Sequence, residues 1–510
     1  MPQLYHRRIR DNRYGTIPLS VFENEVISHA WFQRLRYIKQ LGFFHLVFPG
    51  AQHSRFEHSL GVMHLASKSF HRLRENLIRI ETEQIGIREQ LKQERVLFPK
   101  LCEDRLGYEL IRGLFASEYS ETVFRLAALL HDIGHCPYSH CTEKFLPLMT
   151  EMVSCNPEIP DHIKQAMIAS HSTLATSHGS NGQSGSRASC HEAYSLLLTW
   201  QILLDLEQNN VAFPCFKEDI LALLSPDLPL HPESPFHQLK GYHVLRNLLS
   251  GQWDIDRMDY LQRDSIQSGV EYGKFDEDRL LNSMYVVWHH KSQRYILGFL
   301  ADAMPALEDF LRARQSMFSQ LYFHKTSVAS EAMILHLSRL LGDWRFPANA
   351  QVYAGLRDHD LEQLFTQKLQ EVSGLSREQK KVAERIIQGL FCDRKLWKKV
   401  YELKAQDKRV FDRSELIKIQ HHLNVCRIPN EMVRSVNHLT ERPSPHHQDL
   451  SYCWVRKDAY GLVQIVSYDQ LWDQRQEDLS CYIVRIYVDH EKYLISRKEI
   501  GQLLGTLSKK

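Results

Sequence analysis

The stretch that most constrains the fold is Leu126–His140, LAALLHDIGHCPYSH, because it must be both a buried helix end and a polar loop. The apolar run Leu126–Leu130 brings His131 and Asp132 out side by side, and Gly134 and Pro137 then break the helix. Imidazole and carboxylate are the usual ligands for a divalent metal acting as a Lewis acid, and His135 and His140 follow within the same loop. The dipeptide alone is weak evidence. The chain has 28 His, so a His-Asp pair arises by chance, and His359-Asp360 in RDHDLEQLF is a second one. That pair sits in a charged segment with no apolar lead-in and reads as solvated surface.

At 510 residues the chain has length for about two to four domains, or for one large helical unit with an appendage. Hydrophobic and charged contents of 43% and 24% are globular values, and a net charge of +2 argues against a histone-like nucleic-acid binder. Phosphate binding has to be local. No apolar run reaches the roughly 18 residues of a membrane span, and MPQLYHRRIRDNRYG lacks the apolar core of a signal peptide. A cytoplasmic protein is expected. The 10 Cys form no C-x-x-C pair, which points to reduced thiols rather than a disulfide scaffold or zinc ribbon. No P-loop, G-x-G-x-x-G or G-x-S-x-G occurs.

In chain order, Arg7–Gly15 reads as a basic turn, and Pro18–Leu41 as a helix with Val26, Ile27, Trp31, Leu35 and Ile38 on one face. Residues 40–50, QLGFFHLVFPG, read as extended up to a Pro-Gly turn. In RFEHSLGVMHL a helix begins near His58 and runs to about Ile78; a capping or packing role for His58 competes with a ligand role. Ser172–Ser189 is Gly/Ser-rich and expected to be a loop, ending at His191, which opens the helix HEAYSLLLTW. DIDRMDYLQRD sets Asp256, Tyr260 and Asp264 on one helical face, which an exposed salt-bridged helix would also explain. Leu307–Lys325 reads as a long amphipathic helix carrying Arg314, Tyr322 and Lys325, for which helix-dipole complementarity is an alternative. Beyond about Trp344 come charged helical segments. The basic run Arg394–Lys404 reads as a solvated helix face rather than a nucleic-acid contact, and LVQIVSY and CYIVRIYV suggest a small antiparallel sheet.

Taken in order, His58, His131-Asp132 and Asp256 give the pattern H…HD…D, and the chain resembles the HD superfamily of metal-dependent phosphohydrolases. FPGAQHSRFEHSLGV, LLHDIGHCPYSH and DIDRMDYLQRD are more specific and are similar to the deoxynucleoside triphosphate triphosphohydrolases within it, over roughly Arg7–Leu335. The resemblance implies a mainly α fold: a helical HD-domain metallohydrolase core over 1–345 with a smaller α+β C-terminal lobe over 346–510. It implies His58, His131, Asp132 and Asp256 as ligands of a divalent ion (Fe, Mn, Mg or Zn). His140 becomes the acid that protonates the departing 5′ oxygen, with Glu143 orienting it and His135 and His191 as further active-site histidines. Arg55, Arg257, Arg314 and Lys325 surround the triphosphate of a dNTP substrate, and Gln40, Leu41, Tyr260, Asp264 and Tyr322 line the deoxyribose. Arg7, Gln33 and Arg36 resemble a nucleotide-activator site at a subunit interface, which implies a homo-oligomer, dimer or tetramer. Ser28 stands where activated members carry a guanine-reading Asp, so the resemblance does not carry guanine-specific activation over, and activation by some nucleotide, or by none, stays open. The alternatives are another HD chemistry, on nucleoside monophosphates or cyclic phosphodiesters, and a non-catalytic nucleic-acid-binding or scaffold protein.

Overall fold

The computed structural model describes the chain except residues 1–6, 92–104, 169–188, 240, 252, 290–292, 343, 406–413, 438–451, 458–462, 467–480 and 508–510. The expected loop at Ser172–Ser189 therefore lies almost wholly outside the described residues. The fold is mainly helical with small sheets.

The chain opens with a hairpin, β1 (Arg7–Asp11) and β2 (Gly15–Leu19), where the sequence suggested only a turn. The expected helix over Pro18–Leu41 is instead broken into pieces. Ser20 and Glu23 form a capping box that starts α1 (Val21–Ser28). His29 then turns extended and accepts from the Trp31 amide, so its side chain caps a new short helix rather than continuing the old one. Residues 40–50 are not extended either: Gly42–Leu46 is a 3₁₀ turn that begins at Gly42, φ 54°.

Two helices build the centre. In α2 (Arg55–Leu91) the apolar positions Phe56, Leu60, Met63, Phe70, Leu73 and Leu77 recur at helical spacing and are buried. Against it lies α3 (Glu118–Leu130), capped by Ser117 and buried from Thr122 onward, so it is the central rod of the core. Around this pair lie α4 (His191–Gln208) and α5 (Ile255–Ser268), the latter capped by Asp254. Next come the paired strands β3 (Met284–His289) and β4 (Arg294–Leu300) and helix α6 (Met304–Ser316). The long helix read over Leu307–Lys325 ends as α-helix at Ser316 and widens into a π turn over Met317–Tyr322 before α7 (Ser327–Leu340).

The first hydrophobic core does not stop at 345. Phe346, Tyr353, Phe365 and, in α8 (Arg377–Phe391), Val382 and Leu390 belong to it. The basic run near 394–404 is mostly strand, β5 (Lys398–Ala405), not helix. It is followed by α9 (Ser414–Val425), β6 (Asn430–Asn437), β7 (Tyr452–Lys457), β8 (Val463–Val466), β9 (Cys481–Val488) and α10 (Tyr493–Leu507). The two β-rich runs enter different sheets: β7 and β8 extend the earlier pair in the order β3-β4-β7-β8, while β9 is central in β5-β9-β6. A second, smaller core of Leu416, Ile419, Leu423, Val484, Ile486 and Ile500 lies under α9 and α10. Among the described residues no helix is long and apolar enough to cross a membrane.

Candidate functional site

Three helix ends meet at one point. His58 stands in the first turn of α2, His131 and Asp132 follow the last residue of α3, and Asp256 stands in the first turn of α5. His58 Nε2 lies 3.0 Å from Asp256 Oδ1 and 3.5 Å from Asp132 Oδ2; His131 Nε2 lies 3.6 Å from both Asp132 Oδ1 and Asp256 Oδ1. The second nitrogens fix the tautomers. His131 Nδ1 can only donate to the Ala128 carbonyl at 2.8 Å, and His58 Nδ1 faces Asp259 Oδ2 at 2.8 Å. Both Nε2 atoms thus face the carboxylates, buried without an aligned hydrogen bond, and each would offer a lone pair to a cation that displaces its proton. Lone pairs and carboxylates converging on one point are the donor set of a cation.

Electrostatics agree. Burial opposes a charged His58, yet Asp256 and Asp259 outweigh it and hold the imidazolium up to about 10. Burial likewise opposes ionisation of Asp132, and His131 and Arg55 overcome it and hold the carboxyl well below its usual range. The carboxylates thus stay ionised despite burial, and with the imidazoles around them the residues fit a divalent ion. The neighbouring carboxylate Asp259 was not singled out from the sequence. It joins Arg263, which reaches Asp11 on β1 at 2.8 Å, so the hairpin is tied to the orientation of His58.

Beside this cluster the chain turns sharply. Tyr138 and Ser139 both take left-handed φ, 57° and 53°, strained for residues with a Cβ. Contacts hold the turn: the Tyr138 amide donates to Asp358 at 2.6 Å, its ring stacks on Phe43 at 3.9 Å, and Ser139 Oγ donates to the Lys39 carbonyl at 2.7 Å. The turn delivers His140, 64% exposed, beside Glu143. Glu143 Oε1 faces His140 Nδ1 at 2.9 Å and His191 Nδ1 at 2.6 Å. The ring of His135 stacks on that of His191 at 3.9 Å and reaches Asp132 at 3.4 Å through Nε2. Burial and then Glu143 act oppositely on His191, and the carboxylate prevails, raising it to about 9.

The first turn of α4 reaches His135 because Gly134 allows it. A Cβ on Gly134 would collide with the Ser195 amide and the His191 carbonyl, both backbone atoms. Gly134→Ala is therefore expected to lower unfolding free energy by about 1–3 kcal/mol, as overpacking does, and to cut turnover by moving His191. A denaturant melt beside a kinetic assay checks it; wild-type values in both would mean the two segments separate freely.

On another side lie the remaining sequence-assigned residues. Arg257 binds Asp254 and the Gly251 carbonyl, and its charge and that of Arg314 both act on Tyr260. Tyr260 and Tyr322 rings lie 6.2 Å apart, and Tyr322 Oη donates to Asp264 Oδ2 at 2.7 Å. Asp264 Oδ1 in turn faces the buried His53 at 2.7 Å, a residue the sequence reading passed over. Gln40 is buried, its backbone N–H donating to the His53 carbonyl at 3.0 Å, and Leu41 is half-buried. Arg55 is engaged with Asp132 and Ser139. Lys325 is exposed on the loop after the π turn, and the lobe grips that loop from behind: Arg485 donates to the Phe323 carbonyl at 2.6 Å and Tyr487 to that of Lys325 at 2.7 Å. Of the residues expected at an activator site, Gln33 accepts from exposed Arg36 at 2.7 Å, and Arg7 is the first residue of β1. His359 of the second His-Asp pair is exposed, as expected. A cavity of about 520 Å³ opens on His131, Asp132, Asp256 and His191, with Ser225 and Asp227 on a wall the sequence gave no reason to choose.

Residues 55–176 match the HD domain family. The uncharacterised protein YwfO of Bacillus subtilis is 30% identical over 323 residues, 62% of this chain and 52% of that protein. Human deoxynucleoside triphosphate triphosphohydrolase SAMHD1 is 28% identical over 331 residues, 64% of this chain and 43% of that one. The chain spans about half the length of the curated relatives it matches. Among solved structures, a phosphohydrolase from Bacteroides thetaiotaomicron superposes with TM-score 0.55 at 20% identity, over 94% of this chain and 99% of that one. The fold is shared.

Proposed function

We propose that this HD-domain protein hydrolyses deoxynucleoside triphosphates to deoxynucleoside and triphosphate. The observation that carries the reading is the arrangement around His58, His131, Asp132 and Asp256, with the Glu143-coupled histidines on one side and Arg257, Arg314, Tyr260 and the Tyr322–Asp264 pair on another. A divalent ion held by those four residues supplies Lewis acidity toward a phosphoryl group and water. The other groups divide the remaining work. Glu143 accepts Nδ1–H from His140 and so leaves Nε2 to carry the proton to the departing 5′ oxygen. Arg257, Arg314 and Lys325 offer positive charge to the triphosphate, and Arg55 steadies Asp132. In this reading 1–345 carries the catalytic groups and 346–510 braces the substrate loop through Arg485 and Tyr487. A nucleotide activator at Arg7, Gln33 and Arg36, a homo-oligomer and a cytoplasmic setting belong to the same proposal.

The test is incubation with each of the four dNTPs, with and without GTP and with Mg, Mn or Fe, and chromatography of the products. Deoxynucleoside and triphosphate are expected. Turnover of nucleoside monophosphates or cyclic diesters alone, or release of pyrophosphate, would assign another HD chemistry.

Sugar choice gives a further expected result. An apolar pocket rejects an added hydroxyl by only about 10²-fold, so a rigid ring is needed where a 2′-OH would lie. Tyr322 is held by Asp264, itself held by His53. Tyr322→Ala should raise kcat/KM for ATP or GTP relative to their deoxy forms by about 10-fold or more. An unchanged ratio in a folded, active variant would move the gate to Tyr260.

A further inference from the structure

We propose that His422, Cys426 and Glu499 form a second metal site, separate from the HD centre and suited to an ion of the zinc class. His422 and Cys426 are one helical turn apart at the C-terminal end of α9, so their side chains leave the same face. Glu499 comes from α10, which packs against α9. His422 Nε2 lies 3.1 Å from Glu499 Oε2, and Cys426 Sγ lies 3.8 Å from His422 Nε2 and 3.9 Å from Glu499 Oε2. Zinc bonds of about 2.0–2.3 Å in a tetrahedron leave ligand-to-ligand edges of roughly 3.3–3.7 Å, close to this triangle. The donor set is informative too. Thiolate and imidazole select zinc-class ions over magnesium, calcium or manganese, which prefer all-oxygen shells. His422 and Glu499 are each about one-third exposed and Cys426 is exposed, so a fourth position stays open to solvent or another ligand.

The chemistry balances simply. The Cys426 thiol releases its proton to solvent, and the thiolate, the imidazole and the Glu499 carboxylate each donate a lone pair; affinity therefore falls as the medium becomes more acidic.

The site has a structural consequence. The core beneath α9 and α10 is small, and a metal bridging the two helices would staple them over β9. That strand carries Arg485 and Tyr487, which hold the backbone of the Phe323–Lys325 loop. Occupancy would stiffen that support.

The test uses the full chain, stripped with chelator and titrated with Co²⁺ or Zn²⁺ in the absence of substrate. Thiolate coordination to cobalt gives an intense near-ultraviolet charge-transfer band, which the HD centre, having no thiolate ligand, does not produce. The wild type should develop that band, bind about one more zinc per chain than Cys426→Ser or His422→Ala, and melt at higher temperature with zinc than without. Both variants should keep the wild-type circular dichroism and the metal of the HD centre. Absence of the band in the wild type, or its persistence in Cys426→Ser, overturns the proposal and leaves a hydrogen-bonded His422–Glu499 pair.

Discussion

Asp132→Ala is expected to lose both bound metal and measurable turnover. The carboxylate is the hub of the cluster: its two oxygens lie 3.4–3.6 Å from His58, His131 and His135, and it also accepts from Arg55. Removal takes one ligand and leaves Arg55 and His135 without their carboxylate partner, while His58 and His131 keep only Asp256 and Asp259. Breaking a buried ion pair by deleting one partner costs about 3–5 kcal/mol, so a loss of stability should accompany the loss of metal. His131→Ala should show the same metal loss with less destabilisation, since its Nδ1 partner is only a carbonyl. His359→Ala, in the exposed second His-Asp pair, is the control and should leave metal, stability and rate unchanged. Elemental analysis decides: unchanged metal content in both Asp132→Ala and His131→Ala would remove the ion from this cluster.

That control also shows what the sequence could and could not tell. Both dipeptides have the same letters, and the apolar lead-in Leu126–Leu130 distinguishes them, because only a buried helix end can present ligands into a core. His58 and Asp256 were not readable in that way, because a capping histidine and an exposed salt-bridged helix explained their segments as well, and only the resemblance to the H…HD…D pattern drew them together. Asp259 and Arg263 were hidden: on α5 they alternate with Asp256, Tyr260 and Asp264 in a charged segment that looks like solvated surface. The hairpin arriving with Asp11 and Arg13, together with His58 and Gly61 of α2, buries them. Asp358 was hidden similarly, since it sits next to the exposed His359 yet accepts the Tyr138 amide from more than two hundred residues away. Local pattern also failed where caps intervene. Val26 to Ile38 keep a helical period, but His29 caps a new turn, and periodicity carries no record of that break. The continuity of the core past 345 was invisible for another reason: Phe346, Tyr353 and Phe365 fall in a stretch whose average composition is charged.

Glu143→Gln is expected to cost about 10²- to 10⁴-fold in kcat while metal stays bound, and to move the alkaline limb of the pH–rate profile downward. One oxygen of Glu143 serves two rings, His140 at 2.9 Å and His191 at 2.6 Å, so its replacement disturbs the hydrogen bonding of both. Burial pulls His191 down and Glu143 pulls it up to about 9, which keeps the ring protonated at neutral pH. The sign follows. A raised imidazolium contributes its interaction fully below the unfolded value near 6.5 and loses it as pH rises through about 9. With glutamine the raising charge is gone while burial remains, so the limb should fall from near 9 toward or below about 6.5. His140→Ala separates the proton donor from its partner: kcat should drop by a similar factor, metal content should match wild type, and the limb set by His191 should stay where it is. The contrast with Asp132→Ala is the useful part, because one variant loses metal and the other two keep it. A Glu143→Gln enzyme with wild-type kcat and an unmoved limb would take the carboxylate out of the proton path, and near-normal kcat in His140→Ala would pass the donor's role to His191.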